Sequence, residues 1–324
     1  MSRPTRRRTL AVLPAALLLA LLPGSASAYP NPGTVTGDIV VHDPSMVRTS
    51  SGQYLLYSTG GNLQLRTSSD RTAFGRSGSA FGTPPSWWKN YSPASDPWAP
   101  DISYHGGTYL MYYAVSSFGS NTSAIGLAGS ATGQPGSWTD YGTVYTSGSS
   151  SDYNAIDPNL FVDDDGKWWL SFGSWWTGIK MIRIDPSTGK QHAGDTARRS
   201  LASRPTGTKA VEAPTVVKRN GYYYLFASYD TCCAGTSSTY KVKVGRATSV
   251  TGPYKDRNGV NMLSNGGTPV LESHGRYIGP GGQSVLADSD GDLLVYHYYD
   301  GQDNGTPKLG VNLLNWASGW PVAY

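Results

Sequence analysis

Hydrophobic positions along the chain come in short dense runs, and each run follows the same preamble. A small or acidic residue precedes a proline, a glycine-containing turn comes next, and then an aromatic strand. The five runs are Tyr54-Leu55-Leu56-Tyr57, Tyr109-Leu110-Met111-Tyr112-Tyr113, Trp168-Trp169-Leu170, Tyr222-Tyr223-Tyr224-Leu225 and Leu293-Leu294-Val295-Tyr296. Their marker prolines are Pro44, Pro100, Pro158, Pro214 and Pro280, spaced by 56 to 66 residues. Asp165-Gly166, Asn220-Gly221 and Asp290-Gly291 are acid- or amide-glycine pairs that favour tight hairpins. After residue 28 no stretch keeps a helical period, and Gly, Ser and Pro interrupt throughout. A unit of this length suits a four-stranded blade, so the pattern predicts an all-β, five-bladed β-propeller. A β-sandwich does not usually repeat one hairpin five times.

That architecture has a consequence for chemistry. If the strand after each proline is the innermost of its blade, five equivalent positions face one central cavity. Proline also disfavours the helical region for the residue before it, so those residues are expected to be extended. Asp43 and Asp157 stand directly before their prolines, and Glu212 stands one place earlier in Val211-Glu212-Ala213-Pro214. Blade two offers Trp98 and Asp101, and blade five a glycine-rich run, Gly279-Pro280-Gly281-Gly282-Gln283. Taken singly, each carboxylate could serve a turn beside proline. Three converging on one cavity repel and are costly to desolvate, which points to retention for function. Glycoside cleavage uses such a set: one protonated carboxyl as acid and one ionised carboxylate as base or nucleophile. The residues themselves do not say which carboxyl plays which part.

Composition narrows the partners. Residues 1–28 carry Arg3, Arg6, Arg7 and Arg8, an apolar run from Leu10 to Leu22, and Ala26-Ser27-Ala28. This reads as a secretory signal peptide, exported by a twin-arginine or an ordinary route, and leaves 29–324 as a single catalytic domain. Four of the 26 basic residues fall in that segment, so the remainder balances 22 basic against 22 acidic residues. A neutral secreted, extracellular protein lacks the basic surface that phosphate backbones require, so nucleic acid is excluded as a partner. No apolar run is long enough to span a membrane. Charged residues are only 15%, whereas Tyr numbers 22 and Trp 10 against 6 Phe. Aromatics with a polar edge suit a β-rich core, and equally suit stacking on sugars.

Five motifs in register carry a resemblance. His42-Asp43-Pro44-Ser45, Trp98-Ala99-Pro100-Asp101-Ile102, Asn154-Ala155-Ile156-Asp157-Pro158-Asn159, Val211-Glu212-Ala213-Pro214-Thr215 and Tyr277-Ile278-Gly279-Pro280-Gly281-Gly282 together resemble the glycoside hydrolase family 43 arabinanases. The resemblance implies a five-bladed propeller that cleaves internal α-1,5-arabinofuranosidic bonds of arabinan and arabino-oligosaccharides with inversion. It implies Asp43 as general base, Glu212 as general acid, and Asp157 as the residue that orients Glu212 and tunes its pKa. It also implies substrate contacts from Asp43, Trp98, Phe118, Gly119, Asn154, Ala155, Ile156, Asp157, Ser174, Trp175 and Trp176. For Trp176 a core position is an equal alternative. His297 matches the family's central-channel histidine, near a calcium ion coordinated largely by water. No organic cofactor is implied, and a monomer is expected.

Other patterns are discounted or left open. Asp288-Ser289-Asp290-Gly291-Asp292 resembles a calcium loop, but position twelve is Tyr299 rather than Glu, so it reads as a blade turn. Asp163-Asp164-Asp165-Gly166 reads likewise. Cys232 and Cys233 are adjacent, and the family carries a similar pair near the cavity rim; their redox state stays open. An exo-arabinanase, an arabinofuranosidase or a β-xylosidase of the same family is the nearest alternative activity. Sucrose-acting relatives place Arg where this chain has Ile156. A non-catalytic sugar-binding propeller is the alternative of another class, though it has no need of three converging carboxylates.

Overall fold

The computed structural model describes residues 1–2 and 29–324; the rest of the expected signal peptide lies outside the described residues. The chain forms five antiparallel sheets, each built from consecutive strands. Blade one runs Ser45–Arg48, Tyr54–Ser58, Gln64–Ser68, Ala73–Ser79, with Thr36–Gly37 added in parallel at its outer edge. Blade two is Pro97–His105, Thr108–Val115, Ser123–Ser130, Trp138–Ser147. Blade three is Asn159–Val162, Trp168–Phe172, Ile179–Asp185, with Lys190–Gln191 and Arg199–Ala202 both paired to the third strand. Blade four is Val211–Arg219, Tyr222–Tyr229, Lys241–Ala247, Thr268–Leu271, and blade five is Tyr277–Asp288, Gly291–Asp300, Thr306–Asn315, Val322–Ala323. The first strands of neighbouring blades touch in sequence, and the fifth meets the first, so the ring closes as a five-bladed propeller. The four-stranded expectation thus needs one correction. Blade one carries a fifth strand on the open edge of its fourth, since an unpaired edge accepts a further segment, while in blade three two short segments share the outer edge of the third strand and split the fourth position.

The dense aromatic runs have a physical reason. Each second strand is covered on both faces by adjoining blades, so side chains on both sides of its pleat are apolar. Leu55 and Tyr57 pack toward blade two, while Leu56 packs toward blade five. Tyr112 turns toward blade three while Met111 and Tyr113 turn toward blade one. Leu225 faces blade three, and Tyr224 and Phe226 face blade five. The five apolar clusters found among the described residues correspond to the five blade interfaces.

Polar side chains just past the prolines stitch the inner strands together. The Ile102 amide donates to Ser45 Oγ (3.1 Å), and Asn159 Nδ2 and the Leu160 amide donate to the two oxygens of Asp101 (3.0 and 2.8 Å). The Val216 amide donates to Asn159 Oδ1 (2.9 Å), Thr215 Oγ1 to the Gln283 carbonyl (2.9 Å), and Ser284 Oγ to the Pro44 carbonyl (2.9 Å). Every interface has its own link. Ring closure is reinforced further out, where the Leu309 amide donates to the Ile39 carbonyl and the Val41 amide to that of Pro307.

Candidate active site

The residue before each marker proline is not extended. Asp43, Ala99, Asp157, Ala213 and Gly279 have φ of 46°, 42°, 55°, 50° and 55°, all in the left-handed region. The expectation from proline alone is corrected by the sheet. The ladder shifts register between Trp98 and Asp101, between Glu212 and Thr215, and between Ile278 and Gly281. In blades two, four and five the pre-proline residue sits in that bulge, which re-aims the chain at the channel mouth; in blades one and three, Asp43 and Asp157 stand two residues before the first strand begins. Proline excludes the right-handed helical region, not this one. Four of the five are not glycine, and each such residue costs about 1–3 kcal/mol of backbone strain. Strain repeated at equivalent places around one cavity marks a working site.

Asp43, Asp157 and the inner-strand residues around Pro44, Pro100, Pro158 and Pro214 line this central cavity together with Gly282, Gln283 and Ser284. Asp43 is held by three residues. His42 Nδ1 and Thr59 Oγ1 both donate to its Oδ2 (2.8 Å each), its amide donates to His297 Nδ1 (3.1 Å), and Oδ1 stays free, 3.6 Å from that ring nitrogen. Gly282 leaves the room for that oxygen, since a Cβ there would lie 2.3 Å from it. Burial pushes the Asp43 carboxyl up, but His42, with Thr59 behind it, outweighs this and holds the group at about 2. It is therefore an ionised carboxylate at neutral pH. His42 is fixed from behind: the Cys233 amide donates to Tyr299 Oη (2.7 Å), which donates to His42 Nε2 (2.9 Å). Cys232 and Cys233 form a disulfide in that turn, which answers the open question of their state.

Glu212 is buried and gripped by two hydroxyls, Ser174 Oγ on Oε2 (2.5 Å) and Tyr240 Oη on Oε1 (2.8 Å). Asp157 Oδ2 accepts the amide of Ala213, the next residue after Glu212 (3.1 Å). Burial raises the pKa of Glu212, and the charge of Asp43 adds to this. Burial raises Asp157 further, with the charges of Glu212 and then Asp43 behind it. The two carboxyls titrate as a pair, so one proton is retained between them well above the ordinary carboxylate range. Asp43 and Asp157 thus line the cavity, and Glu212 stands buried beside it, near enough for the charge of Asp43 to act on it and its own to act on Asp157.

The remaining expected residues divide by exposure. Phe118 is 85% exposed and Trp175 37%, both in rim turns beyond second strands. Gly119, Trp175 and Trp176 turn with φ of 79°, 53° and 40°, and Trp176 is half-buried rather than a core residue. Trp98 is half-buried in the inner strand of blade two, opposite Ala114. Asn154 is buried and bonded to Ser123 Oγ and the Ser120 carbonyl. Ala155 has no exposed surface, and its amide donates to Ser147 Oγ; Ile156 is buried, and its carbonyl accepts the Gly173 amide. Asp101, at the bulge of blade two, is spent on blade three; burial pushes it up to about 6 against those two hydrogen bonds. Both discounted acidic turns are satisfied by cations: Asp288 and Asp290 by Arg71, and Asp163 by Lys218. Thr59, Tyr240, Tyr299 and Ser228, whose Oγ accepts the Gly282 amide at 3.0 Å, are invisible to sequence reasoning, because all lie outside the five proline motifs. The one available signal was their placement at or just past the end of a second strand, or, for Tyr240, just before a third.

His42, Asp43 and His297 bring ligand atoms within 4.8 Å of one another. Two imidazoles and one carboxylate do not make the oxygen cage that calcium prefers. Burial and the neighbouring His42 push the His297 pKa well below its usual value, so the ring is neutral. With Nδ1 accepting from Asp43, its proton lies on Nε2, which is buried without a protein partner. That atom fits a water molecule held by an ion better than direct ligation.

A profile of the Glycosyl hydrolases family 43 matches residues 33–321. The chain belongs to that family. An extracellular endo-α-(1→5)-L-arabinanase 1 of Bacillus subtilis is 46% identical, covering 98% of each chain. An extracellular exo-α-(1→5)-L-arabinofuranosidase of Cellvibrio japonicus is 40% identical over 87% of this chain and 85% of its own. Among solved structures, a family 43 endo-arabinanase from Bacillus licheniformis superposes with a TM-score of 0.83 at 47% identity, covering 89% of this chain and 99% of its own. Both endo-acting enzymes are thus matched along nearly the whole of their own length.

Proposed function

We propose that this protein is a secreted, inverting endo-arabinanase that hydrolyses internal α-1,5-linkages of arabinan. One observation carries the chemistry: Asp43 is held ionised in the same mouth where Glu212 and Asp157 retain a proton. Asp43 Oδ1, the oxygen left free by His42 and Thr59, takes a proton from water as that water attacks the anomeric carbon. Glu212 protonates the departing glycosidic oxygen on the other side of the ring. Asp157 orients the turn at Ala213 and keeps the shared proton available to Glu212. Asp43 and Glu212 come from blades one and four, which are not neighbours. Facing each other across the channel suits the ~6.5–9.5 Å that an inverting pair needs for the water. The exposed Phe118 and Trp175 supply apolar faces for flanking sugar rings. A channel calcium ion fits as a water-shelled charge beside His297 Nε2, where it would add positive potential near Asp43.

Identity across the whole length to an endo-acting relative supports internal cleavage, and the extracellular character of that relative supports export. The test is linear arabinan with products followed over time. Proton NMR of fresh product should show the β anomer first, and size analysis should show oligosaccharides before arabinose. An initial α signal overturns the inverting assignment. Arabinose as sole early product returns the exo reading.

A further inference from the structure

Glu212 owes half of its grip to a residue outside every repeated motif. Tyr240 stands immediately before the third strand of blade four, fully buried, with its Oη 2.8 Å from Glu212 Oε1. Its ring reaches the carboxyl only because blade five offers no side chain at Gly281. A Cβ at that position would lie 2.2 Å from Tyr240 Cδ1 and 2.4 Å from Cε1. The backbone at Gly281 does not itself require glycine, since its φ is outside the left-handed region that Gly279 and Gly282 occupy. The ring alone accounts for the missing side chain.

We propose that Tyr240, seated on Gly281, is a positioning residue for the general acid. This rests on the reading of Glu212 as that acid. With Ser174 on Oε2 and Tyr240 on Oε1, both oxygens are pinned and the carboxyl cannot rotate away from the leaving oxygen. The same hydroxyl donates to the carboxylate left behind once the proton has gone, and so favours the charged form. The other groups facing this site are Asp157 from blade three, His42 and Asp43 from blade one, and His297 and Tyr299 from blade five. None of them replaces a phenol hydroxyl on Oε1.

Tyr240→Phe and Gly281→Ala test this, the first by deleting the hydroxyl and the second by displacing the ring that carries it. On linear arabinan, kcat should fall roughly tenfold with KM within about twofold, as expected for weakened proton delivery. The alkaline limb of the Tyr240→Phe profile should move up by about one pH unit, because a donor to the ionised form is gone. On aryl arabino-oligosides the loss should shrink below about threefold as the leaving phenol becomes more acidic and needs no proton. Circular dichroism confirms folding, and Gly281→Ala keeps the test alive if the phenylalanine variant misfolds. Equal losses on both substrate types with an unmoved alkaline limb overturn the proposal. Glu212→Ala is run beside them. If its loss depends strongly on the leaving group while that of Tyr240→Phe does not, Tyr240 falls alone; if Glu212→Ala shows no such dependence, the acid assignment falls and the proposal falls with it.

Discussion

Replacing Asp157 by Asn removes one of two coupled carboxyls while keeping its size. With Asp43 as the proposed base and Glu212 as the proposed acid, activity lies above the Asp43 pKa of about 2 and below the upper pKa of the Glu212–Asp157 pair. That upper value is high because losing the last proton creates a second buried negative charge beside the first. Asp157 Oδ2 lies 3.1 Å from the Ala213 amide, and Glu212 is the residue before it. A separation of about 7 Å between the two carboxyls is taken for the magnitude. At an effective dielectric of about 20, two like charges at that distance repel by about 2.4 kcal/mol, or about 1.7 pH units. In Asp157→Asn the amide carries no charge, Glu212 titrates alone, and the alkaline limb should move to lower pH by about one to two units. The acid limb should stay in place, because His42 and Thr59 still hold Asp43. The assay is kcat/KM on linear arabinan across the full pH range, with arabinan binding and circular dichroism measured in parallel. An alkaline limb that stays or rises in a still-active variant refutes the shared proton.

Asp43→Asn and Glu212→Gln should each keep fold and arabinan binding while losing roughly two to four orders of magnitude in kcat; near-normal turnover in either reassigns the roles. Asn159→Ala breaks links to both Asp101 and the Val216 amide, so calorimetry should show a loss of roughly 2–4 kcal/mol, with buried partners left unpaired. Trp175→Ala should raise KM roughly three- to tenfold with kcat little changed, as removal of a stacking face predicts. Chelator treatment should lower activity and melting temperature, with calcium restoring both; a His297→Ala variant should no longer respond.

Much of this molecule was legible in its letters. The five prolines and the aromatic runs behind them specify five blades, because a strand covered on both faces must be apolar on both sides of its pleat. Asp43, Asp157 and Glu212 were legible for the same reason: register fixes which residue of a repeat meets the axis. The turn that aims them was not. Local rules make a residue before proline extended, whereas in the closed ring φ is positive at Asp43, Asp157 and Ala213. Nor does any pattern join Tyr240 to Glu212, or Cys233 through Tyr299 to His42, since these partners lie 28 to 257 residues apart. Local sequence sets strand, turn and repeat, whose interactions span a few residues. The charge states of the three carboxyls depend on burial and on side chains delivered by other blades, and those exist only once the ring has closed.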